Sequence, residues 1–277
     1  YKLSNMVEKI QMNVNEVLEL EYLIEQISDC PIQVNEPTSG SSSINYISKN
    51  IGVFDPSETG IHELNINGQI IEVDVIEIPS SAVARYNFEE NLTDLWNDNA
   101  GSEVSAVSYS RTSEIGDYAI ESNGSSTKAD LGDFWNTTQF SLAGWIYVHN
   151  VTKKPRILVD EKIIFGISGN FEGNNISFRV SGSSGSNRIT AFTPNTDQWY
   201  HVVCTYDGNE QRLYVDNDLK NSAVVGITPS NDNTNITLFG TGGESVYDGL
   251  LDDLRLYNEA LTETDISNLY NNGSING

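Results

Sequence analysis

From Ala82 to Asn258 the sequence breaks every few residues into short runs of mixed apolar and polar side chains separated by turn residues. That texture limits the possible folds more than any single motif does. "ARYNF", "DYAIES", "FSLAGWIYVHN", "RILVDE", "KIIFGIS", "ISFRVSG", "NRITAFT", "WYHVVCTYD", "QRLYVDN", "ITLFG" and "LLDDLRLYN" all read as strands. No helical pattern separates them, so parallel βαβ units are ruled out and an antiparallel sandwich or barrel is expected. In "QWYHVVCTYDG", Trp199, His201, Val203 and Thr205 share one face, and Tyr200, Val202, Cys204 and Tyr206 share the other. Apolar groups on both faces suit a strand inside a two-sheet sandwich. Asp207-Gly208 then turns the chain into the next strand. Near the end, "TETDISNLYN" pairs Thr262 with Asp265 ahead of Ile266, Leu269 and Tyr270. That is a capping box, and it predicts one short helix lying on the sandwich.

The first third reads differently. Leu3, Val7, Ile10, Val14, Val17 and Ile24 recur at nearly helical spacing, and Met6, Leu20 and Ile27 widen the stripe. The expectation is an amphipathic helix over 1–29. Its apolar stripe over residues 3–27 must be buried, either within the subunit or against copies of itself as a homo-oligomer. Pro31, Pro37 and a Ser/Gly run make 30–44 a linker. A small β region follows over 45–81, with Asn67-Gly68 between two strand-like runs, a strong hairpin signal. Pro79 cannot donate to a ladder and marks the boundary with the sandwich at 82–277.

Charge narrows the function classes. Fifteen basic residues face 39 acidic ones, a net charge of −24. Nucleic acid is excluded as a partner, because phosphate binding needs a Lys/Arg surface. An acidic shell of this kind suits high salt and a halophilic origin, and an ordinary acidic surface protein has the same signature. No run of about twenty apolar residues exists, so no membrane span is expected. No signal peptide opens the sequence, and a start at Tyr1 is expected of a processed or trimmed chain. Cys30 and Cys204 make neither a disulfide framework nor a metal cluster. Sequons at Asn91, Asn123, Asn136, Asn150, Asn175, Asn235 and Asn272 fit a glycosylated, externally facing protein.

Three blocks go beyond pattern: "QFSLAGWIYVHN" (139–150), "QWYHVVCTYDGNEQRLYVDNDLK" (198–220) and "GLLDDLRLYNEALTETDISNLYNNG" (249–273). In this order and spacing they resemble laminin-G-like, concanavalin-A-like jelly-roll domains, with "ARYNFEEN" (84–91) as the opening strand. The resemblance covers about 82–273. It implies a mainly β, antiparallel two-sheet jelly roll, glycan or protein ligands and, in many members, bound Ca²⁺. The phrase "IPSSAVARYNFEENLTD" also resembles the start of laminin-G-like domains in structural proteins of haloarchaeal viruses. An extracellular, non-catalytic recognition protein is therefore expected. Its glycan or host-surface receptor would be held by the jelly roll, on a virion appendage or on a cell surface. A purely architectural virion or filament component is the alternative.

Candidate site residues follow. Asp252 alternates with Leu250, Leu254 and Leu256, which places it on the core face, where a carboxylate needs a partner. Ca²⁺ is one partner, with Asp253 and Glu89 completing the shell. Backbone N–H groups or Arg85 are the other. Trp145 and Trp199 occupy strand positions of the family and read as core. Trp96 and Trp135 lie in polar, turn-rich segments, where aromatic rings serve as stacking platforms for sugars or plug the end of the sandwich. His62, His149 and His201 have no metal spacing. Glu72, Asp74 and Glu77 spell E-V-D-V-I-E, which also fits the bulged catalytic strand of glycoside hydrolase family 16. A retaining glycosidase needs two carboxylates about 5.5 Å apart. This strand precedes the jelly roll instead of lying inside it. Solvent-facing carboxylates of a hairpin strand are the expectation, and an enzyme is not.

Overall fold

The structure is a computed structural model. It describes the backbone of 9–13, 18–19, 43–48, 51–55, 60–66 and 69–76, and residues 78–272 except 152–154, 170–172, 231–233 and 241–245. The chain divides into two units, 1–79 and 80–277.

The first unit contains β1 (Lys9–Asn13), β2 (Leu18–Glu19), β3 (Ser43–Ser48), β4 (Ile51–Asp55), β5 (Gly60–Ile66) and β6 (Gln69–Ile76). They form two three-stranded sheets, β1-β6-β5 and β2-β4-β3. In the β5–β6 hairpin, Ile66 pairs with Gln69, so Asn67 and Gly68 are the two connecting residues. The helix expected over 1–29 meets a different structure wherever the chain is described. Lys9–Asn13 and Leu18–Glu19 are strands, and β1 runs parallel to β6. The physical reason is a double reading. Ile10 and Met12 also alternate with Lys9, Gln11 and Asn13 at period two. Their Cα partners on β6 are Val73 and Val75, so the register matches apolar positions. Long-range pairing selects between two periods that the local sequence permits. The rest of 1–29, most of the 30–44 linker and Cys30 lie outside the described residues.

The second unit is the sandwich. Its strands are β7 (Ala82–Tyr86), β8 (Ser102–Ser105), β9 (Ser108–Ser110), β10 (Ala119–Asn123), β11 (Lys128–Gly132), β12 (Phe140–Val148), β13 (Arg156–Val159), β14 (Ile163–Ile167), β15 (Ile176–Gly182), β16 (Gly185–Thr190), β17 (Trp199–Tyr206), β18 (Glu210–Val215), β19 (Asp218–Val224), β20 (Ile236–Leu238) and β21 (Asp248–Tyr257). One sheet has the order β19-β18-β17-β12-β21-β10-β9, with β7 also on β21. The other has the order β16-β15-β14-β13-β20-β11-β8. All pairings in both are antiparallel, as expected for a jelly roll.

The core lies between the two sheets. Ile146, Val202, Cys204, Tyr206, Leu251 and Leu254 from one face meet Phe165, Phe178, Val180, Ile236 and Leu238 from the other. The face of β17 read as Tyr200, Val202, Cys204 and Tyr206 is indeed this inner face. Cys204 is a free thiol with no exposure, and burial pushes its pKa up, so it packs as a small hydrophobe. The closing helix α1 (Glu263–Asn272) starts at the predicted box. Asp265 N–H donates to Thr262 Oγ1 at 3.2 Å, and Thr262 N–H donates to Asp265 Oδ2 at 2.8 Å. Ile266 and Leu269 of the helix pack with Ala143, Val203 and Tyr214 on the outer face of the eight-stranded sheet.

Candidate functional site

The site is built on β12, β17 and β21, side by side in the eight-stranded sheet. Its geometry turns on a bulge in β21. Between Ala143 and Trp145 the partner strand steps from Arg255 to Asp252, one residue too many for a regular ladder. Asp253 takes up the extra residue at φ 43°. The bulge resets the alternation. Leu251, Leu254 and Leu256 join the core, while Asp252 lies opposite Trp145 in register and outside the core. The expectation that Asp252 shares a face with Leu254 and Leu256 is corrected on this ground.

The carboxylates proposed as calcium ligands are already engaged. Asp252, fully buried, accepts the backbone N–H groups of Glu114 and Ile115 on Oδ2, at 2.9 and 2.8 Å. Its Oδ1 accepts the N–H of Asp253 at 2.8 Å. Burial pushes its pKa up to about 7 against these hydrogen bonds, and the neighbouring Asp253 charge pushes the same way. Glu89 Oε1 accepts the N–H of Asp117 at 2.9 Å and that of Tyr118 at 3.4 Å. Gly116 has φ +70°, and a Cβ there would meet Glu89 Oε1 at 2.0 Å, so only glycine lets the loop close on this carboxylate. Asp253 receives Arg85 Nε at 2.7 Å and Arg255 Nη2 at 2.6 Å. Together these guanidinium groups outweigh burial and hold its carboxyl well below the usual range. Asp252 and Glu89 thus clamp the 114–118 loop, and Asp253 neutralises two arginines. The donor set does not fit Ca²⁺, whose ligands must turn bare oxygens to the ion. Among the described residues no group of three or more His, Cys, Asp or Glu could hold a metal.

The tryptophans exchange roles. Trp135 is 2% exposed and packs edge-on against Phe140 at 5.4 Å, with Nε1 donating to the Tyr257 carbonyl at 3.1 Å. It is a core residue and offers no stacking face; the polar segment around it conceals an inward ring. Trp96 is half-buried, with Tyr257 at 5.4 Å and the Arg255 guanidinium at 5.9 Å. Trp145 and Trp199, which read as core, are half-buried on the outer face instead. Trp199 meets Tyr147 at 5.2 Å, and Tyr147 meets His149 at 5.3 Å.

Trp145 forms one wall of a cleft of about 460 Å³, lined also by Glu114, Ile115, Asp253, Leu269, Tyr270 and Asn271. Tyr270, on the last turn of α1, stacks over Trp145 with centroids 5.9 Å apart and an interplanar angle of 27°. It remains 37% exposed. His201 lies beneath both rings, at 5.0 Å from Trp145 and 5.7 Å from Tyr270. It is 4% exposed, and burial pushes its pKa down to about 4, so it is neutral at pH 7. Among the described residues its Nδ1 is buried without a hydrogen-bond partner. The cleft joins flat apolar rings to the exposed Glu114 and Asn271 side chains. Such a surface can stack on a sugar ring and bond its hydroxyls. The sequence carried a signal for it, since Trp199 and His201 share one face of β17, and the register adds Trp145↔His201 and Tyr147↔Trp199.

Glu72 and Asp74 lie on β6, the middle strand of the small sheet in the first unit, and Glu77 lies outside the described residues. In register, Glu72 faces Glu63 on β5 and Lys9 on β1. They are not part of the jelly roll.

A family model described as the concanavalin A-like lectin/glucanases superfamily, of the laminin G type, matches residues 121–267, more than half of the chain. The chain belongs to this superfamily. No curated protein matches it. Among solved structures, domain 4 of AbnA, an extracellular arabinanase of Geobacillus stearothermophilus in complex with arabinotriose, has a TM-score of 0.60 at 21% identity. The match covers 69% of this chain and 98% of that one. The binding domain of Paraclostridial Mosquitocidal Protein 1 has a TM-score of 0.59 at 16% identity, covering 69% and 52%. The binding domain of botulinum neurotoxin DC, in complex with rat synaptotagmin II, has 0.56 at 17%, covering 70% and 52%. The chain spans about half of each toxin domain. At these identities the likeness is one of fold. In this concanavalin A-like chain the aromatic cleft lies on the outer face of the eight-stranded sheet, beside the closing helix.

Proposed function

We propose that the sandwich is a non-catalytic recognition domain that binds a glycan, free or carried on a receptor, in the cleft of Trp145 and Tyr270. The observation that carries this reading is the stacked ring pair, half open to solvent and flanked by the Glu114 carboxylate and the Asn271 amide. The solved neighbours support it: one was captured with arabinotriose, and two are binding domains of toxins. The acidic shell and the sequons support an outward-facing setting, on a virion appendage such as a spike or tail fibre, or on a cell surface.

The test is titration of the full chain with neutral oligosaccharides, arabinotriose first and then a glycan array. Saturable binding is expected, weakened about tenfold or more in Tyr270→Ala, in line with about 1.4 kcal/mol for a lost stacking face. A wild-type chain that binds no glycan, or a Tyr270→Ala chain that binds as well as wild type, overturns the reading.

A further inference from the structure

The ring system of the cleft continues along the sheet. Side chains alternate between the faces of a strand, so Tyr147, two residues past Trp145 on β12, leaves on the same outer face about 7 Å further on. Ile146 and Val148, on either side of it, are core residues of the inner face. On β17, Trp199 stands two residues before His201, with the core residue Tyr200 between them. The register aligns the two strands: Trp145 faces His201, and Tyr147 faces Trp199. The four rings thus form two consecutive rungs across β12 and β17. Tyr147 and Trp199 meet edge to face at 5.2 Å and 62°, and His149 extends the row at 5.3 Å from Tyr147. On the other side of Tyr147 the rung runs through Leu250 of β21 to Glu121 of β10.

The fold makes little use of this second rung. Tyr147 and Trp199 are half-buried, and among the described residues neither belongs to the core between the sheets or to the cluster beneath α1. Aromatic surface left in water forgoes part of the gain that burial would bring. The polar groups beside the rings are held in place. His149 Nδ1 lies 2.8 Å from Asp197 Oδ1. A carboxylate only accepts, so Nδ1 carries the proton, and Nε2 of the neutral ring is left as an acceptor. Asp197 is anchored by its own N–H, which donates to the Val148 carbonyl at 2.9 Å. Its side chain is 62% exposed, and among the described residues only Oδ1 is engaged.

Flat rings beside fixed acceptors suit a saccharide, whose C–H faces stack and whose hydroxyls donate. Asp197 and Glu121 make the rim acidic in a chain of net charge −24, which favours a neutral ligand over an anionic one. Two rungs in line along the strands call for neighbouring units of one chain. We propose that Tyr147 and Trp199, with His149 and Asp197, form a second sugar subsite continuous with the Trp145–Tyr270 cleft, so that the ligand is a linear, neutral oligosaccharide of three or more units. This subsite rests on the glycan reading of the cleft.

The experiment titrates the full chain with arabino-oligosaccharides and cello-oligosaccharides of two to six units. At least one series should bind, about tenfold more tightly at six units than at two, as the second pair of rings is engaged. Trp199→Ala and Tyr147→Ala should each remove most of that gain. Asp197→Gly tolerates the backbone φ of 59° and removes only an exposed side chain, and it should cut the gain about threefold. It carries the test if melting curves show that an aromatic variant does not fold. Tyr270→Ala should weaken short and long chains alike. A wild-type chain that binds neither series at any length overturns the glycan reading and the subsite with it. Binding that depends on Tyr270 but is equal at two and six units overturns the subsite alone. So does a length gain retained in folded Trp199→Ala or in Asp197→Gly. A dimer seen by sedimentation and broken by Trp199→Ala also overturns it, because a second copy of the chain would then occupy the face.

Discussion

The two outer faces of the sandwich handle charge in opposite ways. Around the aromatic cleft the buried carboxylates are answered from within. Asp253 sits between Arg85 and Arg255, Asp252 accepts three backbone N–H groups, and His201 stays neutral. What remains for a partner there is aromatic surface. On the seven-stranded sheet the charge of Arg156 and Arg179 has no answer among the described residues. Charge that is matched internally serves the fold, and like charge left facing like charge works against it.

The comparison breaks most visibly when the matched charge is removed. Asp253→Ala strips two nearly buried guanidinium groups of their shared carboxylate and should cost about 3–5 kcal/mol. Trp135→Ala, a cavity in the core, should cost a similar ~3–5 kcal/mol. Urea unfolding of the full chain, followed by tryptophan fluorescence and circular dichroism, measures both. A loss under about 1 kcal/mol for Asp253→Ala would show that its ion pairs are not the anchor of this face.

A smaller effect comes from two groups under one cleft that titrate against each other. His201 is pushed down to about 4 in the folded chain from an ordinary 6.5. Between those values only the unfolded state holds the proton, so its contribution to stability is lost as pH falls through that window. Asp252 is raised from 3.8 to about 7. There the folded state holds the proton, so its contribution is complete below 3.8 and is lost as pH rises towards 7. Each shift corresponds to about 3–4 kcal/mol at 1.36 kcal/mol per unit, with opposite sign. The wild type should therefore be nearly flat between pH 4 and 6.5. His201→Phe should lose stability as pH rises across that range, and Asp252→Asn should gain it. Parallel pH curves for all three chains would show that these groups do not govern the face.

What the sequence made legible follows the same physics. The strands that build the core, β12, β15, β17 and β21, announce themselves by apolar alternation, and so does the capping box at Thr262. The strands β8, β9, β11 and β19 escape. Ser102–Ser105 is exposed throughout, and Asp218–Val224 is an outer strand with exposed Leu219 and Val224. Such edges bury little and leave no apolar signature, whereas β11 lies between β20 and β8 and is a short strand that buries only Ala129 and Leu131. Residues 9–13 satisfy a helical and a strand period at once, and pairing with β6 decides between them. The carboxylates at 252 and 253 were legible as unusual, but the bulge at Asp253 moves the face on which they lie. The tryptophans mislead for a related reason. A position on a strand does not say which face it takes, and a polar neighbourhood does not say that a ring points outward. The opposition of Arg179 and Arg188 was invisible, because it arises only through the β15–β16 register.

The smallest effect is the most discriminating between the two faces. Arg179→Gln removes one member of a like-charged cross-strand pair, whose repulsion is on the order of 0.2–1 kcal/mol. The side chain is half-buried, so solvent screens part of that. The variant should be as stable as wild type or more stable by up to about 1 kcal/mol, and the gain should shrink in molar salt. Arg255→Gln, the mirror experiment on the matched face, should be destabilising at any salt, because Asp253 would lose its two-pronged partner. Should Arg179→Gln destabilise the chain by more than about 1 kcal/mol, its guanidinium would be a fold-supporting group, and the contrast between the two faces would fail.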